Sequence, residues 1–61
     1  MDIDSNDAIT FYYKGRALNN LNRNDEALTC YNKSIELNPN YANPHNGKGN
    51  VLYALNRKEE A

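Results

Sequence analysis

The sequence contains one cysteine and one histidine, Cys30 and His45, which are the nucleophile and base that cysteine-type catalysis requires. On a helical register, Cys30 points outward and His45 points toward the packing between helices, so the two do not form a pair. We expect a surface thiol and a histidine at the edge of the core. One histidine and one cysteine also cannot supply the three or four protein ligands of a metal site. The sequence therefore predicts a protein that is not an enzyme and needs no metal or other cofactor.

Two short segments resemble functional motifs but lack their context. Gly47-Lys48-Gly49-Asn50 resembles part of a phosphate-binding loop, but neither a preceding strand nor a following Ser or Thr is present. Asn32-Lys33-Ser34 has the form of a glycosylation acceptor, but it lies in the middle of a predicted helix. We expect neither segment to bind phosphate or to be modified.

Length and charge restrict the protein to one small module. The 61 residues are 39% hydrophobic and carry a net charge of −1, from seven Lys and Arg against eight Asp and Glu. A chain this short buries only about 60% of the surface that its unfolded form exposes, so a deep enclosed pocket is not expected. Without a basic stripe, a phosphate backbone has nothing to attract it, and we expect no nucleic-acid partner.

The hydropathy pattern argues against a membrane-bound protein. The longest apolar run, Val51–Leu55, is five residues, far fewer than the about 20 that span a bilayer, and residues 1–4 are acidic where a secretory signal would be basic and then apolar. A single cysteine suits a reducing compartment, because small secreted domains usually depend on several disulfides. We expect a cytoplasmic protein with no membrane partner.

The chain repeats itself with a period of 34 residues. Shifting the sequence by 34 gives ten identities in the 27 comparable pairs, where chance would give about two or three. The identical residues of the first copy, each matched 34 positions later, are Asn6, Ala8, Lys14, Gly15, Leu18, Leu21, Asn22, Arg23, Glu26 and Ala27.

Within one period the apolar residues are spaced for two helices. The first helix is predicted to end near Leu21 or Asn22, and the second to begin with Asn24 as its cap and to end at Asn38-Pro39. The stripe that each should bury is Ala8, Phe11, Gly15, Leu18 and Leu21 for the first and Ala27, Leu28, Tyr31, Ser34, Ile35 and Leu37 for the second.

A third helix is predicted to start with Pro44 in its first turn and to run to about Leu55. Residues 58–61 would then form the opening turn of a fourth helix.

These positions resemble the tetratricopeptide repeat (TPR), a helix-turn-helix unit of 34 residues. The family's aromatic, small and packing positions fall on Phe11, Gly15 and Leu18, and its proline falls on Pro39. The second copy supplies Ala42, His45, Gly49, Leu52 and Ala61 at the matching positions. The resemblance implies an all-α fold in which antiparallel helices form a fragment of an α-solenoid. It divides the chain into the tail of a preceding repeat (1–7), one complete repeat (8–41) and a truncated second repeat (42–61).

The resemblance also implies a non-catalytic scaffold that binds an extended peptide or partner segment in a groove lined by the first helices of the repeats. The groove positions of the family fall here on Tyr12, Tyr13, Arg16, Asn19, Asn20, Asn43, Asn46, Asn50 and Tyr53, with Ile9 and Gly47 beside them. Amides can pair with a peptide backbone, tyrosines offer rigid apolar area, and arginine can hold a carboxylate. Asparagine is abundant throughout the chain, so a plain solvated face is the alternative interpretation.

One TPR subclass holds the C-terminal carboxylates of heat-shock chaperones with a Lys and an Asn one turn apart and a further Asn on the next first helix. Those positions hold Tyr12, Arg16 and Gly47 here, so that clamp is not expected.

Self-association is the alternative function. The second copy stops after 20 of its 34 residues, and a repeat buries its apolar face only against neighbours. Leu52 with Leu55, or Leu28 with Ile35, could then pair with other copies to form an oligomer or a helix-swapped superhelix. The expected partner is thus a protein, a peptide or a second copy of the chain.

Overall fold

Three helices make up the computed structural model, which describes the backbone of residues 5–60 and the side chains of residues 7–57. They are α1 (Ser5–Asn20), α2 (Asn24–Leu37) and α3 (Ala42–Glu60), and each packs against the other two. The all-α prediction is confirmed. The predicted division into residues 1–7, 8–41 and 42–61 stays a prediction, and residues 1–4 and 61 lie outside the described part.

Asn22 ends α1 in the way the sequence predicts. Its φ of 66° is left-handed, a conformation that Asn tolerates better than most residues. The N–H of Asn22 donates to the Asn19 carbonyl at 2.9 Å, and the N–H of Arg23 donates to the Leu18 carbonyl at 2.9 Å. These two bonds satisfy carbonyls that the helix end would otherwise leave unpaired, and they turn the chain toward α2.

The same turn corrects two expectations. Leu21 was predicted to lie on the buried stripe of α1, but it follows the helix end and is 66% exposed. Asn24 was predicted to cap α2, but the cap position is Arg23, whose carbonyl accepts from the N–H of Ala27 at 2.9 Å without a side-chain cap. The bonds that close α1 fix Arg23 as the last residue outside α2.

Asn38 ends α2 as predicted. Its backbone is extended, its N–H donates to the Ser34 carbonyl at 3.0 Å, and Pro39 follows. The Asn38 side-chain oxygen accepts from the N–H of Asn40 at 3.2 Å, which stabilises the connection to α3.

The end of α3 differs from the sequence prediction. The helix continues through Asn56 to Glu60, so no separate turn starts at Lys58. Asn22 has a left-handed backbone that ends α1, whereas Asn56, its counterpart in the second repeat, lies within α3. Arg, Lys and Glu are good helix formers, and their propensity then continues α3.

Tyr31 of α2 is the centre of the core. Its ring is 1% exposed and lies against glycines of both neighbouring helices. A methyl group added to Gly15 of α1 would lie 2.7 Å from Tyr31 Cε1, and one added to Gly47 of α3 would lie 2.6 Å from Tyr31 Cζ. Real carbon atoms do not approach so closely, so both glycines are needed for the helices to pack on the ring.

The first repeat buries only part of its predicted stripe. Ala8 and Gly15 of α1 are buried, as are Ala27, Tyr31 and Ser34 of α2. Apart from the exposed Leu21, the other members are half-buried, namely Phe11, Leu18, Leu28, Ile35 and Leu37. The Ser34 hydroxyl donates to the Ala8 carbonyl at 2.6 Å, a buried bond that joins the two helices.

In α3 a different face is buried from the one that the repeat predicts. The positions that match the buried stripe of α1 are exposed, as expected of Leu52 because the second repeat is truncated; they are Ala42, His45, Gly49 and Leu52. The buried residues are Pro44, Gly47 and Val51, and Leu55, which was also expected to be exposed, is half-buried. The buried sides of α1 and α3 differ because the two helices have different neighbours. The predicted face is the one that α1 turns toward α2 within its own repeat, whereas α3 packs on the preceding pair of helices with another side.

Cys30 was expected to point outward, but it is 7% exposed. Because α2 packs between α1 and α3, its buried arc is wider than a single stripe and includes Ala27, Cys30, Tyr31 and Ser34.

The three glycines give a matched test of the packing around Tyr31. Gly15→Ala and Gly47→Ala are expected to lower the free energy of unfolding by about 1–3 kcal/mol, because the added methyl group meets the ring. Gly49→Ala meets nothing within 4 Å and is expected to raise it by about 0.5–1 kcal/mol through helix propensity. Urea unfolding followed by circular dichroism measures all three, and equal effects at the three positions would contradict this packing.

Candidate functional site

Tyr12 is the centre of a cluster of tyrosines where α1 approaches the start of α3. Its ring centroid lies 5.3 Å from that of Tyr13, 6.0 Å from Tyr31 and 5.7 Å from Tyr41, the last edge-on. Tyr12 and Tyr41 are half-buried, and Tyr13 is 56% exposed. The cluster offers a rigid aromatic surface with hydroxyl groups, which suits contact with a partner.

Arg16 follows Tyr12 by one turn of α1 and is exposed. Among the described side chains, no carboxylate lies within 4.0 Å of it, since the ion pairs found there are those of Arg23 with Glu26 and Lys33 with Glu36. Arg16 still acts electrostatically on the core. Burial raises the pKa of Tyr31, and the positive charge of Arg16 partly opposes this by lowering it. Arg16 is thus a cation at the edge of the aromatic cluster, available to an external anion.

The predicted asparagines lie on the surface of α1 and α3. Asn19 is half-buried, and Asn20, Asn43, Asn46 and Asn50 are exposed. The Asn43 amide donates to the Tyr41 hydroxyl at 3.1 Å, which links the start of α3 to the tyrosine cluster.

Tyr53 forms a second polar and aromatic position, nearer the other end of α3. It is 63% exposed, and the Arg57 guanidinium carbon lies 5.6 Å from its ring centroid. Arg57 also donates to the Tyr53 hydroxyl at 3.3 Å. Sequence reasoning missed Arg57, although the spacing of four between an aromatic residue and an arginine on one helix was the available signal.

Ring contacts and hydrogen bonds link only some of the predicted groove residues. The structure brings Tyr12 and Tyr13 of α1 close to Tyr41 and Asn43, but within the described residues no hydrogen bond links α1 to Asn50 or Tyr53. Ring contacts and hydrogen bonds therefore connect the predicted residues only at the end of the face where Tyr12 lies.

Gly47 and Tyr13 hold matching positions in the two repeats but differ in burial. Gly47 was expected to line the groove, but it is buried beneath it against Tyr31. Tyr13 lies 34 positions before Gly47, so it occupies on α1 the side that Gly47 occupies on α3. Its exposure follows because no helix among residues 5–60 packs on that side of α1.

Burial gives Tyr31 an unusual titration. Loss of hydration raises the pKa of its hydroxyl above the ordinary 10.0, Tyr12 raises it further, Arg16 lowers it, and Cys30 raises it slightly. Tyr31 is therefore a neutral core residue at physiological pH.

His45 does not lie where the sequence predicts it. It was expected at the edge of the core, but it is exposed, and its Nε2 lies 3.1 Å from the Pro39 carbonyl oxygen. Cys30 is buried on α2, so the two side chains do not share a surface. Among the described side chains of residues 7–57, no group of three or more His, Cys, Asp or Glu could hold a metal ion, and no helix within residues 5–60 is long and apolar enough to cross a membrane.

Comparison with known proteins agrees with the geometry of the helices. The family model described as "TPR repeat" matches residues 15–56. The TPR repeat-containing protein MJ0941 of Methanocaldococcus jannaschii is 44% identical over 41 residues, which are 67% of this chain and 12% of that protein. The Protein STIP1 homolog of Dictyostelium discoideum is 34% identical over 61 residues, which are 100% of this chain and 11% of that protein.

A third relative is closer in size. The uncharacterized protein MJ0572 of Methanocaldococcus jannaschii is 39% identical over 61 residues, covering 100% of this chain and 71% of that protein. The chain thus spans about an eighth or less of the first two relatives and about 71% of the third. No solved structure matches it.

The pKa of Tyr31 gives a prediction for alkaline stability. In the unfolded chain the hydroxyl ionises near 10.0, whereas the folded chain holds it neutral. The stabilisation is fully present below that pH and is lost as the pH rises through the higher folded pKa. Between about pH 8 and about pH 11, the free energy of unfolding should fall more steeply in the wild type than in Tyr31→Phe. Urea unfolding measures this, with Tyr13→Phe as the exposed control. Equal slopes in wild type and Tyr31→Phe would contradict it.

Proposed function

The chain belongs to the TPR family of protein-interaction scaffolds, and from that premise we propose that it binds an extended, acidic peptide across the face that α1 and α3 share. The binding face consists of Tyr12, Tyr13, Arg16, Asn19, Asn20, Asn43, Asn46, Asn50 and Tyr53, joined by Arg57. Because the chain spans only a small part of two of its relatives, the proposal concerns this module and not a whole protein.

The observation that carries the proposal is the charge of this face. Arg16 and Arg57 are its only ionic side chains, and no member is acidic, although the chain as a whole has a net charge of −1. Arg16 follows Tyr12 by one turn of α1 and has no carboxylate partner among the described residues. A guanidinium in this setting can hold a ligand carboxylate through two parallel hydrogen bonds.

The rest of the face fits an extended backbone. Asn46 and Asn50 lie one turn apart on α3 and are exposed, so each offers an amide donor and acceptor to peptide groups. Tyr12 and Tyr41 are already held by their neighbours, so little side-chain entropy is lost when a ligand contacts them. We therefore expect the tyrosines to supply most of the affinity for the peptide, and the arginines to favour peptides that carry acidic residues.

Arg16→Glu tests this proposal directly. Random peptides of about twelve residues are selected on the immobilised chain, and the selected peptides are expected to be rich in Asp and Glu. Their affinity for Arg16→Glu, measured by fluorescence anisotropy, should fall at least about tenfold, because a charge-assisted hydrogen bond is replaced by repulsion.

The matched control is Arg23→Glu, which makes the same charge change at an exposed arginine in the turn before α2. It should leave peptide affinity within about twofold, with the helix content of both variants unchanged. If no acidic peptide is selected, or if the two variants lose affinity equally, the proposed binding face is wrong.

Self-association is a second proposed function, favoured by exposed apolar residues in the turn after α1 and on α3. Leu21 is 66% exposed and Leu52 is 44% exposed, and neither is covered within the described residues. Apolar side chains so exposed can pair between copies of a chain.

Sedimentation over about a hundredfold concentration range measures this association. The mass is expected to rise above 7.0 kDa with concentration, and Leu52→Lys should shift the rise to higher concentration, because a charge replaces the apolar contact. Lys in place of the exposed Asn32 on α2 is the control. A constant mass of 7.0 kDa would exclude this function and leave peptide binding unaffected.

We also propose a cytoplasmic location, which the single cysteine supports, since a reducing compartment keeps such a thiol free.

A further inference from the structure

Tyr12 of α1 and Tyr41, which directly precedes α3, form two apolar walls where these helices meet. Their ring centroids lie 5.7 Å apart and the ring planes are inclined by 78°, so the walls stand almost at a right angle. Both side chains are half-buried, which leaves part of each ring open to a ligand. We call this pair the tyrosine notch.

We propose that the tyrosine notch holds a proline of the bound peptide, and that this proline lies two residues from the acidic residue that Arg16 holds. The ligand is then an acidic segment that contains proline and adopts the polyproline II conformation. This inference rests on the peptide binding proposed above and specifies which class of extended peptide binds.

A proline ring suits a site with rigid aromatic walls. Proline-containing segments dock in aromatic-lined grooves because their polyproline II conformation is formed before binding, so little entropy is lost. The walls of the notch are also held in place. The Tyr12 ring lies 6.0 Å from the buried ring of Tyr31, and the Tyr41 hydroxyl accepts from the Asn43 amide at 3.1 Å. A preformed ligand segment therefore meets a preformed site.

The polar side chains next to the notch match the hydrogen bonding of proline. A proline residue has a carbonyl acceptor but no N–H donor, so its site has to supply donors. Asn43 and Asn46 follow Tyr41 by two and five residues, and both are exposed. Each carries an amide NH2 group, which can donate to the carbonyl oxygens of a polyproline II segment.

The charge near the notch distinguishes proline from the other ligand that aromatic walls hold, a methylated ammonium group. Arg16 follows Tyr12 by one turn of α1, and among the described side chains it has no carboxylate partner. Its positive charge repels a cationic ligand group, whereas a neutral proline ring is not repelled. Arg16 therefore favours proline in the notch.

The spacing of two residues follows from the geometry of the two helices. From Tyr12 to Arg16, α1 advances about 6 Å along its axis. A polyproline II segment advances about 3.1 Å per residue, so two of its residues cover the same distance. In a peptide that follows α1, an Asp or Glu two residues from the bound proline can accept two parallel hydrogen bonds from the Arg16 guanidinium.

Labelled peptides of about nine residues, blocked at both ends, test the proposal with the intact chain by fluorescence anisotropy. The reference peptide carries one Pro and one Glu, two residues apart, among Gly and Ser. Four variants carry Ala for the Pro, trimethyllysine for the Pro, Gln for the Glu, or the Glu four residues from the Pro.

Every variant is expected to bind at least about tenfold more weakly than the reference peptide. Ala buries two methylene groups fewer than Pro and favours polyproline II less. Trimethyllysine introduces a charge that Arg16 repels. Gln removes the charge-assisted hydrogen bonds, and the shifted Glu cannot reach Arg16 while the proline occupies the notch.

Two substitutions of Tyr41 locate the proline on the chain. In Tyr41→Leu the aromatic wall is lost, so the preference for the reference peptide over its Ala variant should fall at least about fivefold. In Tyr41→Phe the ring is kept, so this preference should stay within about twofold of the wild type. Circular dichroism measures the helix content of both variants, and the peptide variants test the proposal even if a substituted chain does not fold.

Four results would overturn the proposal. They are equal binding of the reference peptide and its Ala variant, tighter binding of the trimethyllysine variant, equal binding with the shifted Glu, and an unchanged proline preference in a folded Tyr41→Leu chain. If the Gln variant still binds more weakly in such a case, the chain binds acidic peptides without selecting proline at the notch, and the proposed function stands. If no peptide binds, or if the Gln variant binds as well as the reference, both proposals are wrong.

Discussion

The packing of the three helices depends on the ring of Tyr31, which lies between Gly15 of α1 and Gly47 of α3. An aromatic ring can bring two other helices into contact with its own only if their backbones come within van der Waals distance of it. Glycine alone permits that approach, at the expense of helix propensity. Two glycines lower the helix propensity of α1 and α3, but they allow one buried ring to join all three helices. Such a contact matters in a module of 61 residues, because few large apolar side chains are present to form a core.

The two copies of the repeat show that burial is decided by neighbours and not by the repeat alone. Gly15 and Gly49 occupy equal positions, yet one contacts Tyr31 and the other faces open space. Conversely, Gly47 is buried where its counterpart Tyr13 is exposed. A helix of such a repeat has two packing faces, one for its own repeat and one for the preceding repeat, and the described residues cover only one of them on α1 and the other on α3.

The face proposed to bind a peptide combines several kinds of side chain on one side of α1 and α3. Arg16, Tyr12 and Asn50 combine positive charge, aromatic area and amides, which suits an extended acidic peptide. The apolar stripe of a helix covers only part of its circumference, so the remaining sides of α1 and α3 are free for such contacts.

The sequence by itself determined the number and type of the helices, the turn at Asn22 and the stop at Asn38-Pro39, because backbone preferences and a period of 34 are local properties of the chain. By register it also predicted a binding face, which stays a prediction and did not include Arg57. Only the tertiary structure decided that Cys30 is buried, that His45 is exposed and that α3 packs through Gly47 and Val51. A register gives the direction of a side chain, but which directions are covered depends on where the neighbouring helices lie, and that is set by packing between residues far apart in the chain.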